Sequence, residues 1–74
     1  MEINNENEYL IAFGKNLRKL RKEKGFTQAK LAIDLNIEIS QISRIERGVI
    51  NTSISNVYKI SKVLKIGIKE LFEF

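Results

Sequence analysis

The stretch QAKLAIDLNIEISQISRIER, from Gln28 to Arg47, decides the fold. It reads as two short helices joined by a tight turn, a helix-turn-helix. Packing two helices in this way constrains only a few positions, and each is suitably filled. Leu31, Ile42 and Ile45 fall where side chains enter a shared core. Ala32 is small enough for the helices to approach closely. Asn36 sits at the turn, where a left-handed residue ends the first helix, a conformation glycine adopts more cheaply and asparagine tolerates.

On both sides of this stretch, apolar residues recur with a helical period almost throughout, and no segment alternates like a strand. The first helix is expected over residues 8–24, with Leu10, Phe13, Leu17 and Leu20 facing inward and Gly25 as its stop. Residues 1–8 form a flexible lead-in on this reading. Thr27 caps the second helix, whose first residue is Gln28 and which ends near Leu35 and Asn36. The third starts at Glu38 or Ile39 and stops at Gly48, and a loop follows through Val49, Ile50, Asn51 and Thr52. Ser53 caps a fourth helix from Ile54 to about Leu64, with Ile54, Val57, Ile60, Ser61 and Leu64 facing inward. Gly67 punctuates it, and a short fifth helix spans residues 68–72. The expected architecture is all-α: one compact five-helix domain over residues 9–74, with short connections.

Composition bounds the chemistry. Seventy-four residues, 43% of them hydrophobic, suffice for one small core. There is no cysteine or histidine and the acids are scattered, so metal, nucleophilic and cofactor chemistry find no support. An enzyme is not expected, nor a small-molecule ligand. The absence of disulfides favours a reducing cytoplasm, and no apolar run is long enough to span a membrane. The charge is uneven: three of the nine acids lie in the first eight residues, which leaves residues 9–74 with thirteen bases against six acids. That net +7 suits a polyanionic partner or a merely soluble surface about equally.

Beyond spacing, Gly14, Leu17, Leu20, Arg21, Gly25, Phe26, Thr27, Gln28, Leu31 and Ala32, then Ile42, Ser43, Ile45, Glu46, Arg47 and Gly48, resemble the XRE family of phage Cro and repressor-type DNA-binding domains. Ser53, Ile54, Val57, Ile60, Leu64, Ile66, Glu70, Leu71 and Phe72 resemble that family's last two helices, so the likeness covers about residues 12–72. The resemblance implies a lambda-repressor-like fold whose third helix enters the major groove of double-stranded DNA. It assigns base reading to Ile39, Ser40, Gln41 and Arg44, and phosphate contacts to Gln28, Ser43, Arg47, Asn51 and Thr52. Among these, Arg44 has the chemistry for a bidentate pair with guanine, Gln41 for adenine or a phosphate, and Ile39 only for a thymine methyl group or packing against the fold. Arg21 and Glu46 occupy positions that in the family form a partly buried ion pair. Glu38 is left with two readings, a cap of the third helix or a charge that repels phosphate.

One such helix covers too few base pairs for specificity, so a homodimer on a palindromic operator is expected. The apolar C-terminal residues Ile68, Leu71, Phe72 and Phe74 are the first choice for its interface, and Tyr9, Leu10 and Ile11 the second. The lysines at 59, 62, 65 and 69 read as a solvated face, while those of the first helix and Lys30 remain open to flanking phosphates. A regulator without an attached ligand domain suits a restriction–modification controller or a phage-type repressor. An antitoxin, with a toxin protein as its main partner, is the alternative of a different class, and the acidic residues 1–8 are its only support.

Overall fold

The computed structural model describes residues 2–74. Four α-helices follow in order: α1 Glu6–Glu23, α2 Gln28–Leu35, α3 Ile39–Arg47 and α4 Ile54–Leu64. A five-residue 3₁₀ segment, η1, spans Ile68–Phe72, and no strand occurs among the described residues. The expected fifth α-helix is therefore a 3₁₀ turn. Its five residues are too few for a stable run of i→i+4 bonds, and its carbonyls have other partners. Asn16 of α1 donates its side-chain amide to the carbonyl oxygens of both Glu70 and Leu71, at 2.9 Å each.

Each α-helix ends by the same device. The amides of Gly25, Asn36, Gly48 and Lys65 bond back to Lys22, Ile33, Ile45 and Lys62, and the next amides reach Arg21, Ala32, Arg44 and Ser61. This is the Schellman pattern, with an apolar residue following each turn: Phe26, Ile37, Val49 and Ile66. Asn36 adopts φ 57°, as its place in the turn demands. Lys65 does the same at φ 57° without the licence of asparagine or glycine, and the packing of Ile66 against the core holds it there. Gly67, expected to end α4, instead precedes η1 at φ −71°, where its amide donates to the Glu70 carboxylate.

At the other end of the chain, α1 begins at Glu6, two residues before its expected start. Asn5 caps it by accepting from the Glu8 amide at 2.9 Å, and the Glu8 carboxylate accepts from the Asn4 amide. Glu6, Asn7 and Glu8 are thus the helix's first turn rather than part of an arm, and the acids there complement its dipole. Met1 lies outside the described residues.

The core draws on every element: Phe13 and Leu17, then Leu31, Ala32 and Leu35, Ile42 and Ile45, Val57, Ile60 and Leu64, and finally Leu71. Two expectations change here. Leu71 is wholly buried, so it belongs to this core and is unavailable to a second chain. Ile54 is 84% exposed although it shares the inward face of α4, because that face extends one turn beyond the last element able to cover it. The close approach of α1 to α3 is made at Gly14, where a Cβ would meet the backbone carbonyls of Ile45 and Glu46.

Candidate nucleic-acid interface

α3 is the most two-faced helix of the fold. Ile42, Ile45 and Glu46 are buried, whereas Ile39, Ser40, Arg44 and Arg47 face solvent, with Gln41 and Ser43 half-buried beside them. The apolar face leaves α3 only one way to lie, so the polar flank is presented outward along its length. Four of the side chains expected to read or hold DNA lie on that flank, and the two half-buried ones sit at its edges. Ile39 keeps 49% of its area exposed.

The support beneath this helix is a buried polar cluster. Arg21 of α1 grips Glu46 with two hydrogen bonds, from Nε at 2.6 Å and from Nη2 at 3.0 Å. Its third donor, Nη1, reaches the Phe26 carbonyl at 2.8 Å. The side chains are only 7% and 2% exposed, so the pair ties α1, the turn before α2, and α3 together out of water. Every buried side-chain polar atom among the described residues is hydrogen-bonded, which such a site requires. Sequence reasoning missed the fourth member. Gln28 Nε2 donates to Glu46 Oε1 at 3.0 Å, across eighteen positions of sequence. This bond fixes the Gln28 side chain at the start of α2 and leaves it one further N–H. Thr27 already accepts from the Lys30 amide, so the unbonded first-turn amides, those of Gln28 and Ala29, point out of the helix end.

Two further groups border α3. Asn51 is exposed in the loop after it, and Thr52 is half-buried, its hydroxyl oxygen accepting from Asn56 Nδ2 at 3.2 Å. The Thr52 hydroxyl proton is therefore free to point outward, next to the α4 N-terminus that Ser53 caps. Lys30 is held differently: its ammonium pairs with Asp34 at 3.0 Å on the surface of α2. Lys62 lies over the Tyr58 ring at 5.4 Å, beside Asp34 and Leu35 of α2.

A second surface adjoins the first. Tyr9, Phe13, Ile54, Val57 and Phe72 line an apolar groove whose rim includes Asn51 and Thr52. Phe72 packs on Phe13 with ring centroids 5.2 Å apart, and Phe74 meets Tyr9 edge-on at 5.1 Å. Even so, Tyr9, Ile68, Phe72 and Phe74 each keep about two-fifths of their area exposed. Both ends of the chain thus contribute to one patch, along with an Ile54 that was expected inside. No cluster of candidate metal ligands occurs among the described residues, and no helix there is long and apolar enough to cross a membrane.

Known proteins share this fold. The chain is 39% identical over 69 residues to "Control protein C.BamHI" of Bacillus amyloliquefaciens, a match spanning 92% of this chain and 85% of that one. It is 42% identical over 67 residues to "Control protein C.MunI" of Mycoplasma sp, with 89% and 90% covered. Among solved structures, the restriction-modification controller protein C.AhdI of Aeromonas hydrophila superposes with a TM-score of 0.89 at 36% identity, over 93% of this chain and all of that one. SinR, a master regulator for biofilm formation solved in complex with DNA, gives a TM-score of 0.76 at 34% identity, covering 82% and 98%. The helix-turn-helix family model matches residues 17–71, from the core Leu17 to the core Leu71. With these relatives and this geometry, the chain belongs to the XRE-type helix-turn-helix family.

Proposed function

We propose that this DNA-binding transcription regulator acts as a homodimer on a palindromic operator, as the controller protein of a restriction–modification system. The observation that carries the reading is the outward flank of α3, fixed from behind by the Arg21–Glu46 pair. On this reading Ile39, Ser40, Gln41 and Arg44 meet base edges. Gln28, Ser43, Arg47, Asn51 and Thr52 hold phosphates and so set the register of the protein on the duplex. The identities to two control proteins and the likeness to C.AhdI favour the controller role over that of a phage repressor. The antitoxin alternative loses its support, because the acidic residues Glu6 and Glu8 belong to α1.

The dimer contact is the apolar patch beside the Asn51–Thr52 loop, with Ile54, Phe72, Tyr9 and the Phe74 packed on it meeting their copies across a two-fold axis, and the exposed Ile68 of η1 as a further contact. A two-fold contact beside the phosphate loop sets two α3 helices side by side on one face of the duplex. Selection from random duplexes tests the function and the dimer together. The whole chain should enrich a two-fold-symmetric site with half-sites about 34 Å apart, one helical turn. Ile54→Lys, at a residue too exposed to matter for folding, should weaken the dimer by about thirtyfold or more in sedimentation, as expected for a charge in an interface centre. It should also lower affinity for the full site. No enriched site, or an asymmetric one, would overturn the reading, and an unchanged dimer would move the interface elsewhere.

A further inference from the structure

Glu38 is the one acidic side chain at the leading edge of α3, and the fold gives it nothing to do. Its backbone occupies the N-cap position, yet its side chain makes no capping hydrogen bond, unlike Asn5, Thr27 and Ser53 at the other α-helices. Neither ion pair among the described residues includes it. The carboxylate is exposed and lines an open notch with Ala29, Ile33, Ile39 and Gln41. Ile33 and Ile39 are 73% and 49% exposed there, so the notch pairs one negative group with apolar walls.

Placed near DNA, an ionised carboxylate can only accept hydrogen bonds, and every phosphate repels it. It is tolerable where a base supplies an N–H. In the major groove only adenine N6 and cytosine N4 do so. Adenine sets its N7 acceptor beside N6, which a carboxylate meets unfavourably. Cytosine sets its C5–H beside N4, and an apolar side chain can lie against that edge. A carboxylate next to an isoleucine matches cytosine on both counts.

The geometry points to Glu38 and Ile39 as a cytosine reader, with the carboxylate accepting from N4–H and Ile39 lying against C5. This assignment rests on α3 lying in the major groove, and it adds to the base-reading set a residue that the resemblance leaves out. It also makes the chain sensitive to the methylation state of one base. A methyl group on N4 replaces the groove-facing N–H while leaving the pair with guanine, and so removes what Glu38 accepts. A methyl group on C5 adds apolar surface where Ile39 waits, and is accommodated.

The test uses the full chain and the site it selects from random duplexes, so failure to select any site counts against the proposed function and not against this inference alone. Given a selected site, the wild type should prefer C·G at one position of each half-site. Glu38→Ala should lose that preference, and Glu38→Gln should shift it towards A·T, with the other positions unchanged. N4-methylcytosine at that position should weaken wild-type binding by about tenfold or more, whereas 5-methylcytosine should leave it equal or tighter. Glu38→Ala should bind the two N4 forms alike. A variant that binds all sequences more tightly with an unchanged preference would show that Glu38 merely repels phosphate. That result, or indifference of the wild type to N4-methylation, would overturn the inference.

Discussion

Arg21→Ala should destabilise the fold by about 3–5 kcal/mol, the cost of stranding a buried carboxylate. A chain of 74 residues has only about 4–11 kcal/mol of stability in total, so this variant should lose from about a quarter to all of it. The size of the effect follows from geometry. Both Glu46 oxygens are occupied by Arg21, the pair is almost fully shielded from water, and Gln28 alone cannot balance the charge left behind. Urea unfolding followed by circular dichroism would measure it. Replacing both partners by apolar residues, Arg21→Met with Glu46→Leu, should recover most of the loss, because no charge then remains buried. A loss below about 1 kcal/mol for Arg21→Ala would place the pair in the class of solvated surface bridges, contrary to its burial.

Gly14→Ala should be destabilising by about 3 kcal/mol or more, at or beyond the upper end of overpacking costs. Helix propensity argues the other way, since alanine is worth about 1 kcal/mol over glycine inside a helix. Packing decides the sign. The added Cβ would press on the carbonyls of both Ile45 and Glu46 and lie 2.7 Å from the Glu46 carbonyl carbon, and backbone cannot rotate away as a side chain can. α1 and α3 must therefore separate, which also disturbs Glu46 and the angle at which α3 is presented. Thermal unfolding of the variant measures this cost. A rise in melting temperature would mean that the helices have slack at this contact and that propensity wins.

The two halves of the helix-turn-helix were legible in the sequence because their constraints are local. Thr27, Asn36, Gly48 and Ser53 cap or end helices through bonds to residues three to five positions away. Periodicity likewise gave the inward face of each helix. What it could not give is whether another element lies over the end of that face. Ile54 and Leu71 show the difference: each is apolar and correctly placed in a helical pattern, but Leu71 is roofed by α1 and α4 while Ile54 has nothing above it. The residues proposed for the dimer contact are for that reason a different set from the one the C-terminal sequence suggests.

Long-range polar contacts were likewise out of reach. Asn16 binds carbonyls more than fifty positions away, and that contact helps to set the 3₁₀ form of η1. Gln28 reads as a helix-starting residue with a phosphate role, and nothing in its neighbourhood announces Glu46 as its partner. Lys65 carries no composition signal for a left-handed residue. Only the apolar Ile66 after it repeats the pattern of the other helix ends, and that repeat is the signal by which the turn was detectable.

Arg44→Ala decides whether the outward flank of α3 reads bases or merely carries charge. Fluorescence anisotropy at one salt concentration would compare the selected duplex with a scrambled duplex of the same length. Loss of a bidentate guanine pair should cost about 1–3 kcal/mol on the selected site, roughly five- to 150-fold in affinity, and far less on the scrambled one. An equal loss on both duplexes would make Arg44 a phosphate contact and leave the flank without its guanine reader.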